Sequence, residues 1–171
     1  MRTMLALIAV AATLATAADA TSTTRFVSKR YGYSMVLPGD WTSRPASMPW
    51  RGGPPFQNQR QVDFYPAADG RALAVAALSL PRTSTLRKWA SLYVDTALPS
   101  FCTKSRGYRA TTLGSAPALA FTGVCEVHDI NVALTVRRGR GYVLVLGSPR
   151  SFSAAADGRV FESARRSFRF R

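Results

Sequence analysis

The run Tyr31-Gly32-Tyr33-Ser34-Met35-Val36-Leu37-Pro38-Gly39-Asp40-Trp41 constrains this chain more than any other stretch. Tyr33, Met35 and Leu37 alternate with Ser34 and Val36, the period of two expected of a strand with one face toward a core. Pro38 offers no donor to a sheet ladder and Gly39 permits a tight reversal, so the strand ends there and Trp41 follows at the sheet edge. Preceded by Arg25 to Lys29 and an Arg30-Tyr31-Gly32 turn, the run reads as a hairpin.

Most of the remaining chain also reads as hairpins. Val62 to Tyr65 and Arg71 to Leu80 are expected strands around an Ala68-Asp69-Gly70 turn, the second apolar enough to be covered on both faces. Further strands are expected over Tyr108 to Thr112, Ala116 to Cys125, Ile130 to Arg137 and Tyr142 to Gly147. Two helices interrupt them. Thr83 to Leu98 carries Leu86, Trp89, Ala90, Tyr93 and Ala97 on one stripe and is closed by Pro99. Ala154 to Ser167 offers Val160, Phe161, Ala164 and Phe168, with Phe168-Arg169-Phe170 as an extended tail. No repeat of 20–50 residues is visible, which argues against a solenoid or propeller. Strands in hairpins, without strict strand–helix alternation, favour an α+β sandwich with a mainly antiparallel sheet.

The Tyr-Gly-Tyr-Ser opening, its proline and tryptophan, the amphipathic helix, the four-strand meander and the closing Ser167-Phe168-Arg169-Phe170 resemble the Mog1/PsbP-like superfamily. The match runs from about Phe26 to Phe170. The resemblance implies an α/β/α sandwich around a mainly antiparallel sheet, used by relatives as a non-enzymatic docking or assembly module. Photosynthetic relatives are extrinsic subunits of photosystem II, and the Mog1 branch binds a small nuclear GTPase. Export would exclude the nuclear role, and no residue here speaks of photosynthesis.

Residues 1–20 have the parts of a secretory signal peptide: Arg2, an apolar run from Met4 to Leu14, and Ala18-Asp19-Ala20 as a cleavage site. The apolar segment is about 15 residues, short of the roughly 20 that cross a bilayer as a helix. No cysteine adjoins the cleavage site to accept a lipid. An exported protein, periplasmic or extracellular, with residues 21–171 as one domain, is the expectation. Cys102 and Cys125 are the only cysteines. In an oxidising compartment the pair reads first as a disulfide, worth about 3.4 kcal/mol in the loop-entropy account; the rival is a free thiol nucleophile, which lacks a neighbouring His–Asn pattern.

The formal net charge is +14, and of the 23 basic residues all but Lys29, Lys88 and Lys104 are arginine. Arginine's planar fork suits carboxylate and phosphate, which points to an anionic partner; coding bias toward arginine would produce the same composition. The Arg137-Arg138-Gly139-Arg140-Gly141-Tyr142 turn concentrates that charge, with Tyr142 placed to stack beside it. The expected partner is an anionic envelope component or a protein, with peripheral membrane contact allowed. Nucleic acid is not expected, since no binding motif for it is present. Arg165, Arg166, Arg169 and Arg171 form a second basic cluster, expected on the outer face of the last helix.

The Pro/Gly-rich connection from Ser43 to Gln61 carries Trp50, Arg51 and Phe56. Exposed aromatics on a long loop can anchor a partner, although Trp50 folded back as a lid over the sheet is the favoured reading. His128, the only histidine, lies in Cys125-Glu126-Val127-His128-Asp129. Glu126 and His128 on one strand face, with Asp129, would be at most a partial metal set, and no second cluster completes it; a polar turn is favoured, and neither metal nor cofactor is expected. Asp63 and Asp69 read as solvated surface acids. A hydrolase would need a nucleophile beside a base, but Gly-x-Ser-x-Gly is absent and Ser115 and Ser148 fall in turns. The leading expectation is therefore a non-catalytic binding module, with a small envelope hydrolase using His128 as the alternative.

Overall fold

The hairpin register places five residues, one per strand, in a row across the central sheet: Phe121, Val132, Val145, Ala74 and Phe64. They belong to β7 (Ala116–Cys125), β8 (His128–Arg137), β9 (Arg140–Pro149), β4 (Ala72–Ser79) and β3 (Asp63–Pro66). This row faces α1 (Leu86–Ala97) and the long Pro/Gly connection. The adjacent row, Ala120, Ala133, Leu144, Val75 and Asp63, faces the other way. The far edge of β7 is shared by β5 (Cys102–Lys104) and β6 (Arg109–Leu113). All these pairings are antiparallel. The computed structural model describes residues 23–171 apart from Arg106, so the expected signal peptide over 1–20 lies outside the described residues.

The second face of the sheet is covered by α2 (Ala154–Ser167) and a small three-stranded sheet. In that sheet β2 (Tyr33–Pro38) lies between β1 (Thr23–Ser28) and β10 (Arg169–Phe170). The molecule is thus an α/β/α sandwich in which one outer layer is helix plus small sheet. The β1–β2 hairpin forms as the alternation requires, and Tyr33, Met35 and Leu37 are buried. Ser34 is buried too, because β10 and α2 close the side that a solvated face would leave open.

Both helices are capped by side chains. Thr85 Oγ1 accepts from Lys88 N and Ser153 Oγ accepts from Ala156 N, each supplying an acceptor to an otherwise unpaired helical N–H. The first helix therefore starts at Leu86, where its apolar stripe begins, three residues after the expected start at Thr83. Trp89, Ala90, Tyr93 and Ala97 are buried, and Trp89 Nε1 donates to Tyr142 O at 3.2 Å, locking α1 to β9. Fully burying a large apolar side chain contributes roughly 1.5–3 kcal/mol, so Trp89 and Tyr93 dominate this contact over the two alanines.

Cys102 and Cys125 are directly opposed in the β5–β7 register and form the expected disulfide. The strand β5 itself has no alternation to announce it, being three residues after Pro99-Ser100-Phe101. The long connection is anchored rather than loose. Arg44 N donates to Phe64 O and Phe64 N to Arg44 O, so the chain closes the β3 edge, and Pro55–Gln57 form one 3-10 turn. That pairing removes an open strand edge that could recruit another chain.

Asp63 corrects the surface-acid reading. It is 1% exposed, its Oδ1 accepts from Ala46 N at 2.8 Å and its Oδ2 from Tyr33 Oη at 2.9 Å. Tyr33 and Tyr65 hydroxyls lie 2.6 Å apart. One carboxylate thereby ties β2, β3 and the long connection together. Burial, with the negative Asp63 beside them, pushes the ionisation of both tyrosines well above the ordinary phenol range.

Candidate functional site: the arginine end of the sheet

Strands β8 and β9 are joined by two residues, Arg138 and Gly139, with φ of 49° and 71°. Positive φ at both central positions marks a type I′ turn, whose twist matches the strands it connects. Glycine adopts this conformation without strain; Arg138 does so at a cost of roughly 1–2 kcal/mol. The reversal leaves Arg138 exposed at the tip and Arg137 and Arg140 opposite each other at its base.

Aromatic rings, not carboxylates, hold the two base guanidinium groups. Arg137 Cζ lies 4.5 Å from the Phe170 ring centroid, and Arg140 Cζ lies 5.9 Å and 5.7 Å from the Tyr31 and Tyr142 rings. Phe170 and Tyr142 meet edge to face at 4.9 Å. Among the described residues, Arg137, Arg138 and Arg140 form no ion pair, while Arg71, Arg109, Arg150, Arg165 and Arg166 do. A stacked guanidinium keeps its in-plane N–H fork available, which is the geometry that grips a phosphate or carboxylate.

Several carboxylates gather at the opposite end of the strands, where Arg71 and Arg150 pair with two of them. Asp129 lies near the start of β8 and Arg137 at its end, about 26 Å apart at the rise of an extended strand. Asp69 and Glu126, in the β3–β4 and β7–β8 connections, share the Asp129 end. Asp40 does too, close enough to Arg71 to act on it electrostatically. Arg171 adds to the basic end, since its N–H donates to Gly32 O beside Tyr31.

The predicted site residues do not all converge here. Tyr142 is buried at 6% exposure and serves as a floor for Arg140, its hydroxyl donating to Tyr31 O at 3.1 Å. Trp50 is buried in the lid position, edge-on to Trp89 at 6.1 Å, so it is not an exposed anchor. The Trp50 backbone N–H donates to Tyr31 Oη, and Tyr31 Oη donates to Gln61 O. Burial, the largest cause, raises the Tyr31 hydroxyl to about 12. Through Tyr31 the Trp50 segment abuts the arginine turn, and Arg51 is exposed next to it. Phe56 is elsewhere, packed on Gly147 and Phe64 toward the acidic end. Tyr31 and Phe170, which seat the guanidinium groups, are site residues that the sequence reading misses. The only signal for them was their place in the opening run and in the terminal Phe-Arg-Phe.

The second basic cluster splits. Arg165 is not on the outer face: it packs against β6, with Nε 3.1 Å from Glu162 and Nη1 donating to Thr112 O. Hydrogen bonds from Arg165 hold Glu162 below the usual carboxylate range. Arg166 is exposed.

His128 opens β8 and lines an apolar cavity, while Glu126 lies in the preceding turn, so the two do not share a strand face. Asp129 instead pairs with Arg150 at 3.6 Å. The cavity lining includes no serine, threonine or carboxylate that His128 could activate. Among the described residues no group of three or more His, Cys, Asp or Glu is placed to hold a metal, and no helix is long and apolar enough to cross a membrane.

No protein-family model matches the chain, and no curated protein does. Solved structures do. PsbP (CyanoP) from Synechocystis sp. PCC 6803 superposes with a TM-score of 0.60 at 15% identity, covering 91% of this chain and 96% of its own. The protein Mog1 gives 0.53 at 12% identity, with 87% and 96% covered. LpqN, involved in cell envelope biogenesis of Mycobacterium tuberculosis, gives 0.53 at 12%, with 86% and 90% covered. Identities this low speak to architecture alone, and on that architecture the chain has the Mog1/PsbP-like fold.

Proposed function

We propose that this chain is an exported, non-catalytic binding module that docks its arginine end on an anionic partner of the cell envelope. The observation that carries the reading is the Arg137-Arg138-Arg140 turn: three guanidinium groups without carboxylate partners, two of them seated on aromatic rings, at the end of the sheet farthest from Asp69, Glu126 and Asp129. A positive surface of this kind raises the encounter rate with an acidic partner and loses strength as salt screens it. The fold shared with LpqN, described as involved in envelope biogenesis, supports the compartment, as do the disulfide and the signal-like residues 1–20.

The test is capture from the producing organism's own envelope extract on immobilised protein spanning residues 21–171. An acidic component that elutes with salt supports the reading. Binding that is indifferent to salt contradicts it.

A further inference from the structure

At the opposite end of the sheet from the arginines, the face under α1 is left partly uncovered. Ala72, Gly147 and Ile130 are directly opposed across β4, β9 and β8, so the floor there carries two residues with no side chain beyond a methyl. On one side the 3-10 turn packs Phe56 against the sheet; a Cβ on Gly147 would lie 2.9 Å from its ring, so any larger residue there would push the ring aside. On the other side, the chain leaving α1 brings Pro99 and Phe101, and the Cys102–Cys125 disulfide fastens that wall to β7. The result is a cavity of about 260 Å³ with Pro54, Phe64 and Ile130 also in its lining. Its polar side chains are Gln57 and His128, and Phe101 is 45% exposed.

We infer that this cavity is a binding site for the hydrocarbon part of a small, freely diffusing amphipathic molecule. Rings, proline and a disulfide make walls that desolvate an apolar group but give no charge a partner, the pattern of a small-molecule site. An apolar cavity of about 150 Å³ holds benzene, so by proportion this one takes on the order of ten carbons. Gln57 and the exposed His128 give the ligand's polar end hydrogen-bonding groups, which fixes its orientation with the chain inward. The site is remote from the arginine turn and independent of the docking proposed there.

The probe is 1-octanol added to isotope-labelled protein. Saturable shifts of the Ala72, Ile130 and Gly147 amides are expected, with magnetisation transfer from the alkyl protons to the Phe56, Phe64 and Phe101 rings. 1-Butanol, four methylenes shorter, should bind roughly two hundredfold more weakly. Ala72→Leu fills the floor and should weaken octanol about tenfold or more, while amides on the far face, such as Ala133, keep their positions. No saturable shift, transfer to other rings, or undiminished binding by a folded Ala72→Leu protein overturns the inference. So does a response to neutral phosphatidylcholine vesicles without one to octanol, which would make this a bilayer contact. Were Ala72→Leu to misfold, the transfer pattern in the unaltered protein decides alone.

Discussion

Arg137 lies over the ring of Phe170, Cζ to centroid 4.5 Å, so the last strand of the chain forms the platform for a side chain in the β8–β9 turn. β10 is only two residues long, yet it joins β2, Tyr142 and Arg137 in one cluster. Phe170→Leu keeps bulk but removes the π face. It should cost about 1 kcal/mol of stability by denaturant unfolding, and weaken anion binding through a loosened Arg137. Unchanged values for both would show that the stack is incidental.

Arg138 occupies a left-handed position that favours glycine. Arg138→Gly should stabilise the fold by about 1 kcal/mol, since it relieves the positive φ, while lowering affinity for the anionic partner. Ser115, at φ 59° in the β6–β7 turn, is the control: Ser115→Gly should stabilise the fold without affecting binding.

The disulfide closes the segment carrying β5, β6 and β7. Cys102→Ser with Cys125→Ser should cost about 3 kcal/mol in the loop-entropy account. Thiol labelling of the native protein should find no reactive cysteine.

How much of this was legible beforehand depended on whether the signal was periodic. Alternation along Tyr33 to Leu37 and along Ile130 to Val136, and the stripe from Leu86 to Ala97, repeat often enough to identify elements without a partner in view. β5 repeats nothing, and its place is set by the disulfide and by pairing with β7. Asp63 is the sharper case. An acid next to Val62 and Phe64 reads as the wet side of a strand, and only the arrival of Tyr33 and Ala46 from distant segments makes it a buried acceptor. The arginine turn was visible as a cluster, whereas Tyr31 and Phe170 are brought to it by tertiary pairing. Trp50 followed its size into the core.

The ionisation pattern sets limits at both ends of the pH scale. Arg71 holds Asp69, and Arg165 holds Glu162, below their ordinary values. Carboxylates depressed in the folded state add stability that is present above the unfolded range near pH 4 and lost as pH falls through the folded values. Tyr31, Tyr33, Tyr65 and Tyr93 are raised by burial. Their contribution is complete below about pH 10 and lost as pH rises, because the unfolded chain ionises first. Phenolate absorbance should therefore show these tyrosines ionising together with alkaline unfolding. A gradual titration of every tyrosine near pH 10 in folded protein would contradict the burial.

The buried carboxylate should be costly to remove. Asp63→Ala leaves Ala46 N without its acceptor and Tyr33 Oη with only Tyr65 Oη to bond, and should destabilise by about 2–4 kcal/mol in thermal or denaturant unfolding. A loss under 0.5 kcal/mol would mean that water replaces it readily.

The central claim is that the arginine end, not positive charge in general, engages the partner. It is tested by comparing Arg137→Gln, Arg138→Gln and Arg140→Gln combined with a charge-matched control, Arg150→Gln, Arg159→Gln and Arg166→Gln combined, in binding to the envelope extract across a salt series. The account predicts that the first protein loses about tenfold or more in low-salt affinity, and most of its salt dependence, while the control binds like the unaltered protein. Equal losses in both, or salt-resistant binding by the first, would contradict it.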